Sequence, residues 1–342
     1  MEDFRLETMW KERLIQTGWS VRAASQIKFS LAASTLCQYN KYIQQLHDFC
    51  HKQALTFPPK DSATIAQFLC VIADDTKKPR SHLRCAQAAI SKAYEALGKA
   101  SPAKCADVQA LAIGLVKAGT QTPRTKSTVM PIAPFNALFT SWSSNAQLTT
   151  KQLRLKAITL LALTLMLRPS DAAPRAMVFD PETNTEHKVI FTRDQVCFRE
   201  DGSARITLFG IKNDSNRSGF EITVPRHENP QLDPVGALHD YMQFTSPVDN
   251  AVFVSLKKPY TALGAQSIAN ILEDAIELAG LGGQGFSAKS FRCTGATAAI
   301  EAGQDPNIVM KMGRWKTESV FYEHYVHSRT PANFTANILE HD

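Results

Sequence analysis

The strongest constraint on this chain's fold is the stretch 150–167, which is apolar almost all round. Leu155, Ile158, Leu160, Leu161, Leu163, Leu165 and Leu167 leave it no continuous polar face, so a helix here must be enclosed by other elements on every side. Its apolar run, 157–167, is eleven residues long with two threonines, too short to cross a bilayer. The expectation is therefore a globular domain built around this helix. The helix runs into Arg168-Pro169-Ser170-Asp171. A guanidinium beside a buried helix is costly to desolvate unless it is partnered. A plain ion pair with Asp171 is one reading, and a cation held ready for a ligand is the other.

The 342 residues suggest two domains. No charged-then-apolar leader opens the sequence, so a soluble intracellular protein is expected, nuclear in a eukaryotic host. Seven scattered cysteines without a C-x-x-C pair argue against a disulfide frame or structural zinc. Cys37, His47, Cys50 and His51 fall in one helical stretch but not on one face, so they read as core cysteines and surface histidines, and no metal site is expected. Charge is uneven. Residues 1–126 hold 18 Lys and Arg against 10 Asp and Glu, more than the whole chain's net of +6. A basic front portion suits a polyanionic partner such as DNA, or is simply a solvated surface.

Residues 1–20 read as a poorly ordered arm or a short helix. Apolar positions from Leu31 to Phe49 recur every three or four residues, predicting an amphipathic helix over 25–55. Further helices are predicted over 62–73, with Asp61 as cap, and over 81–98 and 103–118. Together these make an all-α module over 1–118. The turn between the second and third contains Lys77, Lys78 and Arg80, which suit phosphate contacts, a weak nuclear-targeting signal or a solvated loop. Residues 119–132 are polar, carry two prolines and lack periodicity, so they form a linker. Its Arg124 and Lys126 are candidates for tracking a DNA backbone.

The second domain, 133–342, is expected to open with helices over 134–146 and 150–167. The pattern then switches to short β-rich runs: Val189, Ile190 and Phe191; Val196, Cys197 and Phe198; residues 205–209; and residues 220–224. If the first two are one interrupted strand, this is a three-stranded antiparallel sheet, with Lys212 at its last turn. Helices return over 234–245 and 265–279. Gly280-Leu-Gly-Gly-Gln-Gly285 matches a dinucleotide fingerprint by letter. It follows a helix where that fingerprint must follow a strand, so it reads as a loop. The fold class is thus mainly α with a small antiparallel sheet.

The stretch 286–329, FSAKSFRCTGATAAIEAGQDPNIVMKMGRWKTESVFYEHYVHSR, holds most of the candidate chemistry. Lys289 and Arg292 lie three apart, on one face of a helix. Gly313-Arg314-Trp315 and then Tyr322 and Tyr325 follow. A guanidinium can grip a phosphate through a fork of hydrogen bonds, and a phenol can attack it. The set therefore suits phosphoryl transfer to a tyrosine.

These residues resemble the C-terminal motif of the tyrosine recombinases, the phage-integrase and Cre-like superfamily, in which His/Lys-x-x-Arg precedes Gly-His/Trp and a nucleophilic tyrosine. The wording is most similar to recombinases of eukaryotic mobile elements of the Crypton and DIRS kind. The resemblance covers 168–327 by motif. It implies an N-terminal core-binding domain, a catalytic domain, and cutting and rejoining of DNA through a 3′-phosphotyrosine without metal or ATP.

Residue by residue, the resemblance makes Arg168 and Arg292 the phosphate clamp and Lys289 a third cation. Trp315 becomes an N–H donor or packing wall, Lys212 the general acid and Asp171 a support. The nucleophile is Tyr325, favoured by the ending Tyr325-Val326-His327, with Tyr322 as the alternative. Partners implied are double-stranded DNA and further copies of the chain, a tetramer on DNA, with 331–339 as a short helix that docks on a neighbouring copy or on its own chain. An inactive DNA-binding relative and a type IB topoisomerase share these features and stay open, and a structural helical scaffold is the remaining class.

Overall fold

A computed structural model describes residues 4–76, 79–118, 128–174, 177–180, 185–212, 214, 218–245 and 250–326. The chain divides into two compact units, Met1–Arg124 and Thr125–Asp342.

The first unit is helical. It comprises α1 (Leu6–Gln16), α2 (Val21–Gln26), α3 (Ala33–Lys52), α4 (Ser62–Asp74), α5 (Pro79–Ala96) and α6 (Ala106–Ala118). The front of the chain is thus two helices rather than a loose arm, because Leu6, Met9, Trp10 and Leu14 share one face and are buried. The single helix expected over 25–55 is shorter, with a 3-10 turn at Ile27–Ser30 before α3. Asp61 caps α4 as expected, its Oδ1 accepting the Thr64 N–H at 2.7 Å. Ile43, Leu46, Ile65, Phe68, Leu69 and Ile90 fill the core. Cys50 is buried among them, while Cys37 is exposed. Arg80 does not sit in a turn but in the first turn of α5, exposed. Lys77, Lys78, Arg124 and Lys126 lie outside the described residues, as do most of the linker and 331–339.

The second unit is organised on α8 (Thr150–Thr164), which follows α7 (Ala133–Thr140). A reciprocal capping box starts α8: Gln152 N–H donates to Thr149 Oγ1, and Thr149 N–H donates to Gln152 Oε1. Every residue from Leu155 to Leu163 is buried. Even Lys156 is buried, its Nζ donating to Asn145 Oδ1 at 2.7 Å. Helices α9 (Pro234–Gln243), α10 (Ala265–Leu278) and α11 (Ser290–Glu301) pack around α8, as its apolar circumference requires. Then come α12 (Pro306–Gly313) and α13 (Glu318–His324).

The sheet flanks this helical group. Strands β3 (Val196–Phe198), β4 (Ala204–Leu208) and β5 (Phe220–Val224) run antiparallel in that order, with Ile206 opposite Ile222 and Leu208 opposite Phe220. Ala204, Ile206 and Leu208 alternate inward. A separate hairpin, β1 (Met177–Asp180) with β2 (Thr185–Lys188), was not anticipated. Residues 189–191 are not part of an interrupted strand. Phe191 is buried against Phe253 and its carbonyl accepts the Val252 N–H, so this run pairs with another segment.

Helix α11 crosses α8 at Gly295, where an added Cβ would stand 2.1 Å from the Leu163 carbonyl oxygen. That atom belongs to backbone and cannot swing away. Gly295→Ala is therefore expected to lower stability by about 3 kcal/mol, measured as a shift in the urea unfolding midpoint. An unchanged midpoint would show that the two helices do not depend on this close approach.

Candidate active site

The site begins where α8 stops. Leu165 closes the helix with its N–H on the Leu161 carbonyl, and Met166 then adopts φ +50°, a left-handed conformation that a side chain resists. This bend turns the Met166 carbonyl toward two guanidinium groups. Arg292 Nη1 and Arg314 Nη2 both donate to it. A tight turn at Pro169–Asp171 follows, in which Asp171 Oδ2 accepts the Arg168 backbone N–H at 3.0 Å.

Arg292 sits in the first turn of α11 and is only 3% exposed. It also donates to the Gly313 carbonyl. The Trp315 ring covers its guanidinium at 3.9 Å, and the Tyr325 ring lies 5.2 Å from it. Burial lowers its pKa to about 9, helped by the neighbouring charges of Arg168 and Arg314 and opposed by Asp171 and Tyr325. A guanidinium in water keeps its proton beyond pH 12. Desolvation is the larger cause of the shift, and the two neighbouring cations add to it.

Arg314, 5% exposed, ends α12 in a left-handed conformation at φ +61°. Its Nη2 meets Asp171 Oδ2 at 3.1 Å. Arg168, by contrast, reaches the same oxygen only at 3.8 Å. The expected pairing of Asp171 with Arg168 thus holds mainly through the backbone N–H, and the closer ion-pair partner is Arg314. No role had been read into Arg314. The available signal was its place between a glycine and a tryptophan at a helix end.

Gly313 is required at this turn, because a Cβ there would fall 1.7 Å from the Trp315 ring. Trp315 is 8% exposed and its indole N–H has no partner among the described residues. In this geometry the indole walls off Arg292. The two tyrosines separate at a helix end. Tyr322 is on α13, 45% exposed, with its ring against Phe321. Tyr325 lies just past α13 at φ −127° and ψ −20°, with its ring 4.8 Å from Trp315. The Cys293 thiol and Thr297 hydroxyl both donate to its carbonyl.

The two lysines stand further out. Lys289 occupies the N-cap of α11 and, unlike Arg292, is exposed. Lys212 is exposed in the β4–β5 connection. Among the described residues neither forms a hydrogen bond or ion pair. The Lys212 connection is closed at its base and has one contact with the site. Asp214 closes its base by accepting the N–H groups of Gly210 and Ser218 at 2.9 Å and of Gly219 at 3.2 Å. Phe220, at its far end, has its ring 5.8 Å from the Arg314 guanidinium. A cavity of about 570 Å³ lined by Lys156, Arg226 and Asp233 lies by the β3–β4 turn, at the other end of the sheet, and contains none of these residues. Among the described residues no group of His, Cys, Asp and Glu is disposed to hold a metal ion, and no helix is long and apolar enough to cross a membrane.

A helical domain with a three-stranded sheet at its side, clustered arginines and a tyrosine ring beside them is the architecture of the tyrosine recombinases. The chain belongs to the phage integrase family, whose model matches residues 140–331. Solved structures similar to it include XerH recombinase bound to a palindromic difH substrate in a post-cleavage complex, at 10% identity and TM-score 0.63, covering 99% of this chain and 95% of that one. The Tn1549 transposon integrase in complex with transposon right-end DNA is similar at 12% identity and TM-score 0.57, covering 98% of each chain. A lambda integrase dimer bound to a COC′ core site matches at 11% identity and TM-score 0.53, covering 94% of this chain and 76% of that one. No curated protein matches the sequence.

Trp315 and Tyr322 lie close in sequence but differ in environment, which sets a test. Trp315→Ala is expected to cost about 3 kcal/mol or more, because it removes a buried ring and uncovers a buried charge. Tyr322→Ala should cost less than about 0.5 kcal/mol. Urea unfolding of both variants would measure this, and equal losses would contradict the assignment of Trp315 to the wall.

Proposed function

We propose that the chain is a site-specific DNA recombinase that cuts and rejoins double-stranded DNA through a 3′-phosphotyrosine, with Tyr325 as nucleophile. The observation that carries this reading is the charge imbalance beside Tyr325: three guanidinium groups gather at one carboxylate, Asp171. Such a group favours an anion, and a phosphodiester supplies one with the geometry a guanidinium fork accepts.

The chemistry follows from the charges. The phenolate oxygen of Tyr325 attacks phosphorus, its proton having passed to solvent, and the P–O5′ bond breaks. A free tyrosine ionises near pH ~10 in water, so the attack requires that the phenol give up its proton. Arg168 and Arg292 bind the negative charge that grows on the non-bridging oxygens, each worth about 10²–10³ in rate. Lys212 gives the departing 5′ oxygen its proton, and Lys289 adds a cation at the mouth of the site. Attack by another strand's 5′-hydroxyl reverses the step and releases Tyr325. The arginines supply the charge that a metal would otherwise supply, and the phosphotyrosine conserves the bond energy, so neither metal nor ATP is needed.

The domain at 1–118 contributes DNA contacts through its basic surplus, including Arg80 and the segment holding Lys77 and Lys78, and the linker adds Arg124 and Lys126. Exchange between two duplexes breaks four strands and uses one tyrosine for each, so the working form is a tetramer on DNA. Each chain sits inside the cell, in the nucleus of a eukaryotic host.

The test uses a duplex that this protein selects from a random-sequence pool, rebuilt with a nick beside the cleavage position. Wild type should form a covalent protein–DNA adduct in the presence of EDTA and without ATP. Tyr325→Phe should form none, Tyr322→Phe should keep the reaction, and Arg168→Ala or Arg292→Ala should slow it about 10²–10³-fold. An adduct undiminished in Tyr325→Phe would refute the nucleophile. Relaxation of supercoiled plasmid with no preferred site would point to topoisomerase action instead.

A further inference from the structure

Arg314 bonds to the segment that carries Arg168 and to the end of α12, and it lies beside two further segments of the site. Its Nη2 donates to Asp171 Oδ2 at 3.1 Å and to the Met166 carbonyl at 3.3 Å, both in the segment that carries Arg168. Its Nη1 donates to the Met312 carbonyl at 3.2 Å, which ties it to the end of α12. Its guanidinium faces Phe220, at the foot of the Lys212 connection. Through the Met166 carbonyl it shares an acceptor with Arg292. Its backbone turns the chain so that the next residue, Trp315, lies on Arg292.

Two features separate this residue from a surface cation. Its guanidinium is ion-paired to the Asp171 carboxylate at 3.1 Å, so its effect on the reaction passes through that partner. Its φ of +61° belongs to the conformation that glycine usually fills at a helix C-terminus. A large side chain here accepts backbone strain, and the ion pair to Asp171 offsets it. Burial draws the Arg314 pKa down, and the Asp171 carboxylate opposes that shift.

We propose that Arg314 is a positioning residue for strand cleavage: it clasps Asp171 on one side and turns Trp315 onto Arg292 on the other, and so fixes the spacing of the two phosphate-binding guanidinium groups, Arg168 and Arg292. The proposal rests on the reading of the site as a DNA-cleaving centre. Arg314 does not touch the phosphate. Asp171, held by Arg314, holds the Arg168 backbone N–H in turn. An error of about 1 Å in such a relay costs on the order of 10²-fold in rate.

The experiment compares wild type, Arg314→Lys, Arg314→Gly and Asp171→Asn, with the double variant Arg314→Gly/Asp171→Asn, on the nicked duplex described above. DNA affinity and the single-turnover rate of adduct formation are measured separately. Arg314→Gly relieves the backbone and removes the clasp, so its affinity should stay within about threefold while its rate falls about 100-fold. Arg314→Lys keeps the charge but loses the fork and should fall about tenfold. The double variant should be no slower than the slower single one, since both changes break the same contact.

A wild-type rate in Arg314→Gly, a loss confined to affinity, or rate effects that multiply in the double variant would each overturn the proposal while leaving the proposed function intact. Absence of an adduct from wild type would overturn both. If Arg314→Gly lacks a cooperative unfolding transition, Arg314→Lys decides alone: a wild-type rate refutes the clasp, and a slowed rate at unchanged affinity supports it.

Discussion

One buried carboxylate balances too many buried cations, and the geometry around Tyr325 follows from that shortage. Asp171 is 1% exposed and meets Arg314 directly, Arg168 at longer range, and Arg292 through the shared field. Removing charges from water costs several kcal/mol each unless they are paired. Here several of the remaining donors meet backbone carbonyls, those of Met166, Gly313 and Met312, while Arg292 Nε has no hydrogen-bond partner among the described residues. Carbonyls satisfy N–H groups without cancelling charge. The cluster therefore keeps a positive surplus, and a phosphodiester is a chemically matched way to discharge it.

Placing those carbonyls demands close packing and unusual backbone. A helix without a polar face has to be surrounded, and α8 is surrounded so tightly that α11 can cross it only at a glycine. That crossing brings Arg292 under the end of α8. Left-handed turns at Met166 and Arg314 then point the carbonyl and the ion pair inward. Trp315 closes over the group, and Tyr325, past the end of its helix, sets its ring at a tilt against Trp315. Strain of this kind persists where the surrounding contacts over-determine it.

Much of this was legible in the letters. Arg168 after a buried helix announced a guanidinium that needed a partner, and the Lys289–Arg292 spacing marked the second cationic segment. The choice between Tyr325 and Tyr322 could not come from helical periodicity, since the helix ends before Tyr325 and only the break sends the rings different ways. Arg314 escaped notice because an arginine beside a glycine and a tryptophan reads as surface, and only tertiary packing brings Asp171 to it from 143 residues away. Spacing sets Lys289 one turn from Arg292 but carries nothing about burial: Lys289 is the exposed N-cap of α11, while Arg292 is enclosed. Residues 189–191 have strand-forming side chains, yet pairing is a tertiary decision and their partner is the 250–254 segment rather than β4. The helix within 1–20 did have a signal in Leu6, Met9, Trp10 and Leu14.

The claim at the centre is that the surplus positive charge serves one phenol. Tandem mass spectrometry of the trapped protein–DNA adduct, after trypsin and nuclease, reads this directly on the peptide 317–329, which holds both tyrosines. The expected result is a nucleotide phosphate carried by Tyr325 and no modification of Tyr322. The same mass on Tyr322, or on a serine or threonine of that peptide, would contradict it.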